Sequence, residues 1–113
     1  MAIVRITKNL EKEINKRFRK ESLKIIHHLY SLNENPTKGK ELGAVGSSVI
    51  KEIKYKSFRF YFITKGHKLK ILKAEELKDL LIKFVRMSNK KDQQKTINEI
   101  KIILRILGDE GFD

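Results

Sequence analysis

The sequence predicts an α+β protein: a small antiparallel sheet with an N-terminal helical segment and a C-terminal helix packed on one of its faces. Three observations support this class. Apolar and charged residues alternate as in strands over residues 48–64, a helical apolar stripe precedes them, and a second helical stripe follows near the C-terminus. Elements in the order strand, helices, antiparallel strands and helix are typical of α+β domains. The 113 residues suit one domain, spanning residues 1–113.

The first element is a short strand, followed by a helical segment. "AIVRIT" at residues 2–7 is β-branched and apolar, as strands are. Residues 8–36 carry apolar side chains at helical spacing, with Thr7 or Asn9 as the cap and Pro36 at the end. The spacing weakens between Phe18 and Ser22, so one kinked helix and a helical hairpin both fit. The stripe consists of Leu10, Ile14, Phe18, Ile25, Ile26, Leu29 and Leu32.

A loop and a β-hairpin follow. "TKGKELGAVGSS" at residues 37–48 has three glycines and predicts a loop. "SVIKEIKYK" and "FRFYFIT" predict two strands, and because only Lys56 and Ser57 separate them, a tight turn makes them antiparallel neighbours. Alternation places Phe58, Phe60 and Phe62 on one face of the second strand and Arg59, Tyr61 and Ile63 on the other. In the first strand it separates Ile53 and Tyr55 from Glu52, Lys54 and Lys56.

The second half of the chain predicts a turn at residues 64–67, a strand at 68–73 and then an ambiguous stretch. From Ala74 we favour a short helix followed by a short strand in "IKFVRM", although a helix over Leu77, Leu80, Leu81 and Phe84 also fits. Residues 89–108 form a clear helix with Asp92 in its first turn and Gly108 as its stop, before a tail at 109–113. Its predicted buried stripe is Ile97, Ile100, Ile103, Leu104 and Leu107.

The charge is strongly unbalanced. Lysine and arginine number 26 against 14 acidic residues, for a formal net charge of +12. Such an excess costs self-repulsion, which a polyanion commonly offsets. RNA or DNA is the first expectation, and an acidic protein partner is compatible with it. A lysine-rich composition without a binding role, or an anionic membrane surface, would also produce this balance.

The composition excludes several classes of site. The chain has no cysteine, so disulfides, thiolate zinc sites and a cysteine nucleophile are excluded. Three scattered histidines, His27, His28 and His67, argue against a metal site. The N-terminus lacks the apolar run of a signal peptide, and no apolar run approaches the ~20 residues that span a bilayer. We therefore expect a soluble, cytoplasmic protein.

Three motifs in order suggest a family. They are "LNENPTKGKEL" at residues 32–42, the strand pair "EIKYKSFRFYF" at 52–62, and "KFVRMSNKKDQQKTINEI" at 83–100. Over roughly residues 2–107 the chain resembles the RelE/ParE toxins of type II toxin–antitoxin pairs, in particular the RelE/HigB-like branch. The resemblance implies a microbial-RNase-type fold, a ribosome-associated mRNA endonuclease activity without a metal or other cofactor, and an acidic antitoxin.

The resemblance also implies site residues. Arg59 matches the family's arginine in its "YR" strand, and Lys54 matches a basic position on the preceding strand. Glu52 stands where RelE-type members often carry a second lysine and HigB-like members a glutamate. Arg86 and Lys90 match basic positions after the last strand. A tyrosine that some members carry near the C-terminus has no counterpart after Tyr61.

The residues themselves predict a chemistry for this set. A guanidinium binds phosphate oxygens in a bidentate way, so Arg59 is the candidate stabiliser of the transition state. Lys54, among other cations, or Glu52, on the same strand face, is the candidate base. Lys56, Arg86, Lys90 and Lys91 are candidate RNA-binding residues.

Each of these residues also has a structural interpretation. Arg59 and Glu52 could form plain ion pairs, Glu52 with a neighbouring lysine, and the lysines of the strands could be solvated. Lys90 and Lys91 could simply begin the last helix. His67 fits a turn residue better than a base, and His27 and His28 fit a helix surface. A second hypothesis is therefore a non-enzymatic basic module of the same fold, which binds nucleic acid or blocks a protein target such as gyrase.

Overall fold

The computed structural model describes residues 2–66 and 79–112 and confirms the α+β class. The helices are α1 (Lys8–Phe18), α2 (Ser22–Tyr30) and α3 (Gln93–Leu107), with 3-10 turns at Arg19–Glu21, Ser31–Asn33 and Gly108–Gly111. The strands are β1 (Ile3–Ile6), β2 (Lys40–Val45), β3 (Ser48–Tyr55), β4 (Phe58–Lys65) and β5 (Leu81–Asn89). They form one sheet in the order β1-β5-β4-β3-β2.

The N-terminal helical segment is broken into two helices. Thr7 caps α1, since its Oγ1 accepts a hydrogen bond from the N–H of Leu10 at 3.3 Å. Arg19 ends α1 with a positive φ of 49°, a backbone conformation that a continuing helix cannot contain. The chain then makes a 3-10 turn before α2 starts at Ser22. The weak point predicted between Phe18 and Ser22 is thus a true break.

The central hairpin is as predicted. β3 and β4 pair antiparallel from Ser48 and Lys65 to Tyr55 and Phe58, so the turn is the two residues between them. Lys56 takes the positive φ (54°) that two-residue hairpin turns require. One pairing is parallel rather than antiparallel, because β1 lies alongside β5 in the same direction. α1 and α2 carry the chain away from β1 and make this arrangement possible.

The loop predicted at residues 37–48 is wrong, because half of it, Lys40–Val45, forms β2. β2 pairs antiparallel with β3, with an irregularity between Glu41 and Gly43. Leu42 and Val45 pack against buried residues, and this burial outweighs the weak strand propensity of "KELGAV". A Cβ at Gly43 would stand 3.0 Å from Cε of Lys101, at the flexible end of that side chain.

The sheet has a hydrophobic core on each face, so the expectation that all helices pack on one face is wrong. On one face α1 and α2 cover β4 residues Phe60 and Phe62. On the other face α3 covers Tyr61 and Ile63. Alternate side chains of β4 therefore pack into opposite cores, as the alternation in the sequence predicts for this strand.

One expectation for the C-terminal helix is corrected and another is confirmed. Leu107 is 62% exposed and is not part of the buried stripe of α3, whereas Ile97, Ile100 and Leu104 are buried. Gly108 does end the helix, with a φ of 70°. The tail then turns back onto the sheet and buries Phe112 to 4% exposure. Lys83 Nζ donates to the carbonyl oxygens of Asp109 and Phe112, at 3.1 and 3.3 Å, and holds the tail in place.

The pH dependence of stability should reveal this attachment. Burial alone would raise the pKa of Asp109, but hydrogen bonds from Lys65 and Ser48 outweigh it and hold the pKa below its usual value of 3.8. Because the folded-state pKa is depressed, the carboxylate stabilises the fold above the unfolded pKa, and this is lost as the pH falls through the folded pKa. We expect Asp109→Asn to lower the melting temperature at pH 7, and to lower it less as the pH falls below 3.8 and through the folded-state pKa. Glu110→Gln is the charge-matched control, and an equal effect of Asp109→Asn at pH 7 and below the folded-state pKa would contradict the expectation.

Some predictions fall on other parts of the chain. The strand at 68–73, most of the helix from Ala74, and His67 lie outside the described residues. β5 confirms the strand in "IKFVRM", so the alternative of a helix through Leu81 and Phe84 is wrong. No helix in residues 2–66 and 79–112 is long and apolar enough to cross a membrane.

Candidate functional site

The register of the sheet aligns Lys54, Arg59 and Ser88 across three neighbouring strands. Lys54 of β3 is directly opposite Arg59 of β4, and Arg59 is directly opposite Ser88 of β5. Directly opposed residues have Cβ atoms about 5 Å apart, so their side chains share one patch on the α3 face of the sheet. The patch, together with the residues that contact it, is called the Arg59 cluster: Glu52, Lys54, Arg59, Tyr61, Ser88 and Gln93.

Arg59 is the centre of this cluster and is only 8% exposed. Its Nε lies 3.6 Å from Oε2 of Glu52, an ion-pair distance that is too long for a hydrogen bond. The Nε–H has no hydrogen-bond acceptor among the described residues. A buried donor without an acceptor is uncommon and is found at functional sites.

Glu52 is less exposed than Arg59, and the first residue of α3 contacts its carboxylate. Gln93 Nε2, at the start of α3, lies 3.3 Å from both carboxylate oxygens of Glu52. The carboxylate is thus enclosed between Arg59 on one side and Gln93 on the other. The predicted ion pair of Glu52 exists, but its partner is Arg59 rather than a lysine.

Tyr61 and Ser88 complete the cluster. Tyr61 is fully buried, and its hydroxyl is 2.7 Å from Oγ of Ser88, which in turn donates to the carbonyl oxygen of Asn89. Burial raises the pKa of Tyr61, the bond to Ser88 opposes this, and the charge of Glu52 adds to the rise. The phenol is therefore neutral near pH 7 and anchors Ser88 beside Arg59.

Lys54 differs from its neighbours because it is exposed. It follows Glu52 by two residues on the same face of β3 and has no acidic partner among the described residues. Because Lys54 is exposed beside the Arg59–Glu52 pair, it can contact a bound molecule without giving up an ion pair. The structure therefore unites the three predicted catalytic residues, Arg59, Lys54 and Glu52, in one place.

Two of the predicted RNA-binding residues, Lys56 and Arg86, form ion pairs with glutamates that do not belong to the Arg59 cluster. Lys56 Nζ is 2.7 Å from Glu21 Oε1, between two exposed side chains. Arg86 Nε is 2.8 Å from Glu99 Oε1, and its Cζ lies 5.3 Å from the ring centroid of Phe112. Arg86 is thus held over the C-terminal tail, away from Arg59.

Lys90 and Lys91 lie at the same end of the sheet as the Arg59 cluster. Both are exposed and follow β5 directly, two and three residues after Ser88. The N–H groups of the first turn of α3 are close by, and Asp92 makes no side-chain cap to them. Two lysines beside an uncapped helix N-terminus give this end of the molecule a positive potential.

The phenylalanines of β4 are core residues rather than a stacking platform. Phe60 and Phe62 are fully buried. Phe58 is partly buried and packs edge-on against Phe18, with ring centroids 5.0 Å apart. Among the described residues there is no cluster of three or more His, Cys, Asp or Glu side chains that could hold a metal ion.

Sequence reasoning missed three members of the cluster. Tyr61 could have been found, because alternation places it on the face of Arg59. Ser88 and Gln93 could not, since their approach depends on the pairing of β5 and on how α3 packs. The chain matches no family model, no curated protein and no solved structure.

Proposed function

We propose that this protein is the toxin of a type II toxin–antitoxin pair and cleaves mRNA on the ribosome, in the cytoplasm and without a metal. The observation that carries the proposal is the Arg59 cluster, in which a partly unsatisfied guanidinium and an exposed lysine stand on adjacent strands. The net charge of +12 and the resemblance of the strand pair to RelE-like toxins support it.

The cluster suits the chemistry of RNA cleavage. The 2′-oxygen of the ribose attacks the neighbouring phosphorus while its proton passes to a base. The bond between phosphorus and the 5′-oxygen breaks, and the departing 5′-oxygen takes a proton from water. Arg59 stabilises the charge that grows on the phosphoryl oxygens, because its guanidinium is planar and permanently charged. Lys54, exposed and directly opposite Arg59, is the residue placed to accept the 2′-hydroxyl proton.

Glu52 acts as a positioning residue in this scheme rather than as the base. Its side chain is 2% exposed and is enclosed by Arg59 and Gln93, so the 2′-hydroxyl cannot approach it closely. Its charge instead holds the guanidinium at a fixed place on the sheet. Pre-positioned charge of this kind needs no reorganisation during the reaction.

The test is to identify the reaction products. Purified protein is incubated with translating ribosomes and with naked mRNA, and the new RNA ends are mapped. Attack by the 2′-oxygen leaves a 2′,3′-cyclic phosphate and a 5′-hydroxyl, and a 2′-deoxy substitution at the cleaved nucleotide must abolish the reaction. Intact mRNA in both reactions would refute the proposal of an endonuclease.

Binding to ribosomes or mRNA should depend steeply on salt. Each phosphate contact releases counterions, so about 6–10 contacts would cost 10³–10⁵ in affinity between 50 and 200 mM salt. The measurement is the dissociation constant for an mRNA fragment at four salt concentrations. A flat affinity would contradict the electrostatic argument.

An acidic antitoxin is part of the proposal. Covering the exposed lysines with carboxylates would reduce self-repulsion and stabilise the folded toxin through linkage. A short acidic reading frame beside the gene would support this pairing.

The second candidate is a non-enzymatic module that binds nucleic acid or inhibits a protein target such as gyrase. The buried pairing of Arg59 with Glu52 favours this second candidate. A guanidinium whose charge is neutralised by a carboxylate stabilises negative charge on a phosphate less strongly. Growth arrest on expression with intact mRNA would support this candidate over the nuclease.

A further inference from the structure

The outward face of α3 carries a band of apolar side chains. Ile102, Ile106 and Leu107 are 52%, 72% and 62% exposed, and Ile103 beside them is only partly buried against the core. Because these residues repeat every four positions along the helix, they form one continuous band, called here the α3 stripe. Single exposed apolar residues are normal on a protein surface, whereas a contiguous apolar patch marks a surface that another molecule covers.

One flank of the α3 stripe is basic. Lys101 and Arg105 are one helical turn apart on the side of α3 that faces β2. The Nζ of Lys101 lies 3.3 Å from the position that a Cβ on Gly43 would take, and Arg105 borders a shallow groove together with Val45. Neither basic side chain forms an ion pair with a residue in 2–66 or 79–112. A molecule that covers the stripe therefore meets two positive charges along one edge.

The acidic side chains nearest to the stripe are already engaged. Oε1 of Glu99 accepts a hydrogen bond from Nε of Arg86 at 2.8 Å, and Oδ2 of Asp109 lies 2.8 Å from Nζ of Lys65. Glu110 is exposed, but it lies past the end of the stripe, in the 3-10 turn that follows α3. The stripe thus combines an apolar band with unneutralised positive charge, and the complementary surface is apolar and acidic.

We propose that the α3 stripe is the docking surface for an amphipathic helix of an acidic protein. The apolar side of that helix packs on Ile102, Ile106 and Leu107, as helices pack through residues spaced by three and four positions. Carboxylates one turn apart on its edge pair with Lys101 and Arg105. The proposal rests on the proposed function for the identity of this protein, the antitoxin, and adds the place on the toxin where it binds.

A second copy of the chain fits the stripe less well. Each copy carries a net charge of +12, so two copies repel each other. Glu99 is the only acidic residue of α3, and because Arg86 binds it, a second α3 has no free carboxylate to offer Lys101 and Arg105. An anionic membrane fits less well too, since the stripe has no aromatic side chain to enter the headgroup region.

The stripe is well separated from the Arg59 cluster. Gln93, which contacts Glu52, begins α3, and Ile106 lies near its end. At a rise of 1.5 Å per residue the two are about 20 Å apart along the helix. A helix docked on the stripe therefore leaves the cluster open, whereas an acidic peptide held by charge alone would compete with RNA for the exposed lysines.

The test uses a designed peptide as the probe. It is a helix of leucine, alanine and glutamate, about 18 residues long so that it can be helical, with its leucines on one side. A peptide of the same composition, with the leucines spread around the helix, is the control probe. Binding is followed through the methyl NMR signals of the isoleucines and leucines of the protein, and titration gives the dissociation constant.

Two double variants locate the binding. Ile102→Ala/Ile106→Ala removes the apolar band while keeping high helix propensity, and Leu23→Ala/Tyr30→Ala removes two exposed apolar side chains from α2 as the matched control. Thermal melting verifies that both variants fold. The amphipathic peptide should shift the signals of Ile102 and Ile106 in the original protein. The stripe variant should bind it about 10² more weakly, because burying each isoleucine is worth about tenfold or more, and the α2 variant should bind it unchanged.

Several outcomes would overturn the docking surface. These are shifts confined to another face, equal affinity for the two peptides, a dimer in sedimentation equilibrium that the stripe variant abolishes, and stripe-dependent binding to phosphatidylglycerol vesicles. The RNA cleavage assay separates this inference from the proposed function. If the peptide docks on the stripe but RNA is not cleaved, the docking surface stands and the proposed function fails. If RNA is cleaved but the peptide does not bind the stripe, this inference alone fails.

Discussion

Replacing Arg59 by alanine is expected to lower the free energy of unfolding by about 3 kcal/mol. Removing one partner of a buried ion pair typically costs about 3–5 kcal/mol, because the other charge stays buried without compensation. Here the stranded group is Glu52, which is 3% exposed in the folded sheet. The lower end of the range applies, since Gln93 can still donate to the carboxylate.

Urea denaturation of the original protein and three variants tests this expectation. Arg59→Ala should unfold at much lower urea than the original protein, whereas Arg59→Met combined with Glu52→Gln should recover most of the loss, because no charge is then left unpaired. Lys54→Ala, on the opposite strand but exposed, should change stability little. Equal stability of Arg59→Ala and the original protein would mean that Glu52 is not buried as described.

Replacing Arg59 by lysine is expected to reduce RNA cleavage by about 10²–10³, equivalent to roughly 2.7–4 kcal/mol in the barrier. The lysine keeps a positive charge beside Glu52, so the protein should remain folded and any loss can be assigned to chemistry. An ammonium group cannot offer the planar pair of donors that binds two phosphoryl oxygens at once.

The comparison variant is Arg86→Lys, which makes the same change at an arginine paired with Glu99. It should leave cleavage nearly unchanged. Rates at saturating RNA separate the effect on chemistry from that on binding, and the Arg59→Lys loss should be in kcat. If Arg59→Lys cleaves as fast as the original protein, the transition state is stabilised elsewhere.

The alternation of apolar and charged residues over 48–64 correctly predicted the central β3–β4 hairpin. A strand exposes successive side chains on opposite faces, so Phe60 and Tyr61 could be assigned to different faces before the pairing was known. The two-residue turn then set the register, which brings Lys54 opposite Arg59. The break after Phe18 and the helix end at Gly108 could also be predicted, because both depend on residues close together in the sequence.

What could not be predicted depends on contacts between distant residues. "KELGAV" has the composition of a loop and becomes β2 only because β3 offers it a partner. The contact of Gln93 with Glu52 depends on where α3 lies on the sheet.

The parallel pairing of β1 with β5 determines when the molecule can become complete. Ile3 pairs with Leu81, which is distant in the sequence, so β1 cannot form this pairing until β5 has been synthesised. Contacts so distant in sequence slow folding, because the loop must close before the contact forms. The Arg59 cluster also cannot assemble before this point, since Ser88 and Gln93 are synthesised after Leu81. If the proposed function is right, a nascent toxin cannot attack the message from which it is being translated until the ribosome has synthesised the chain through Gln93.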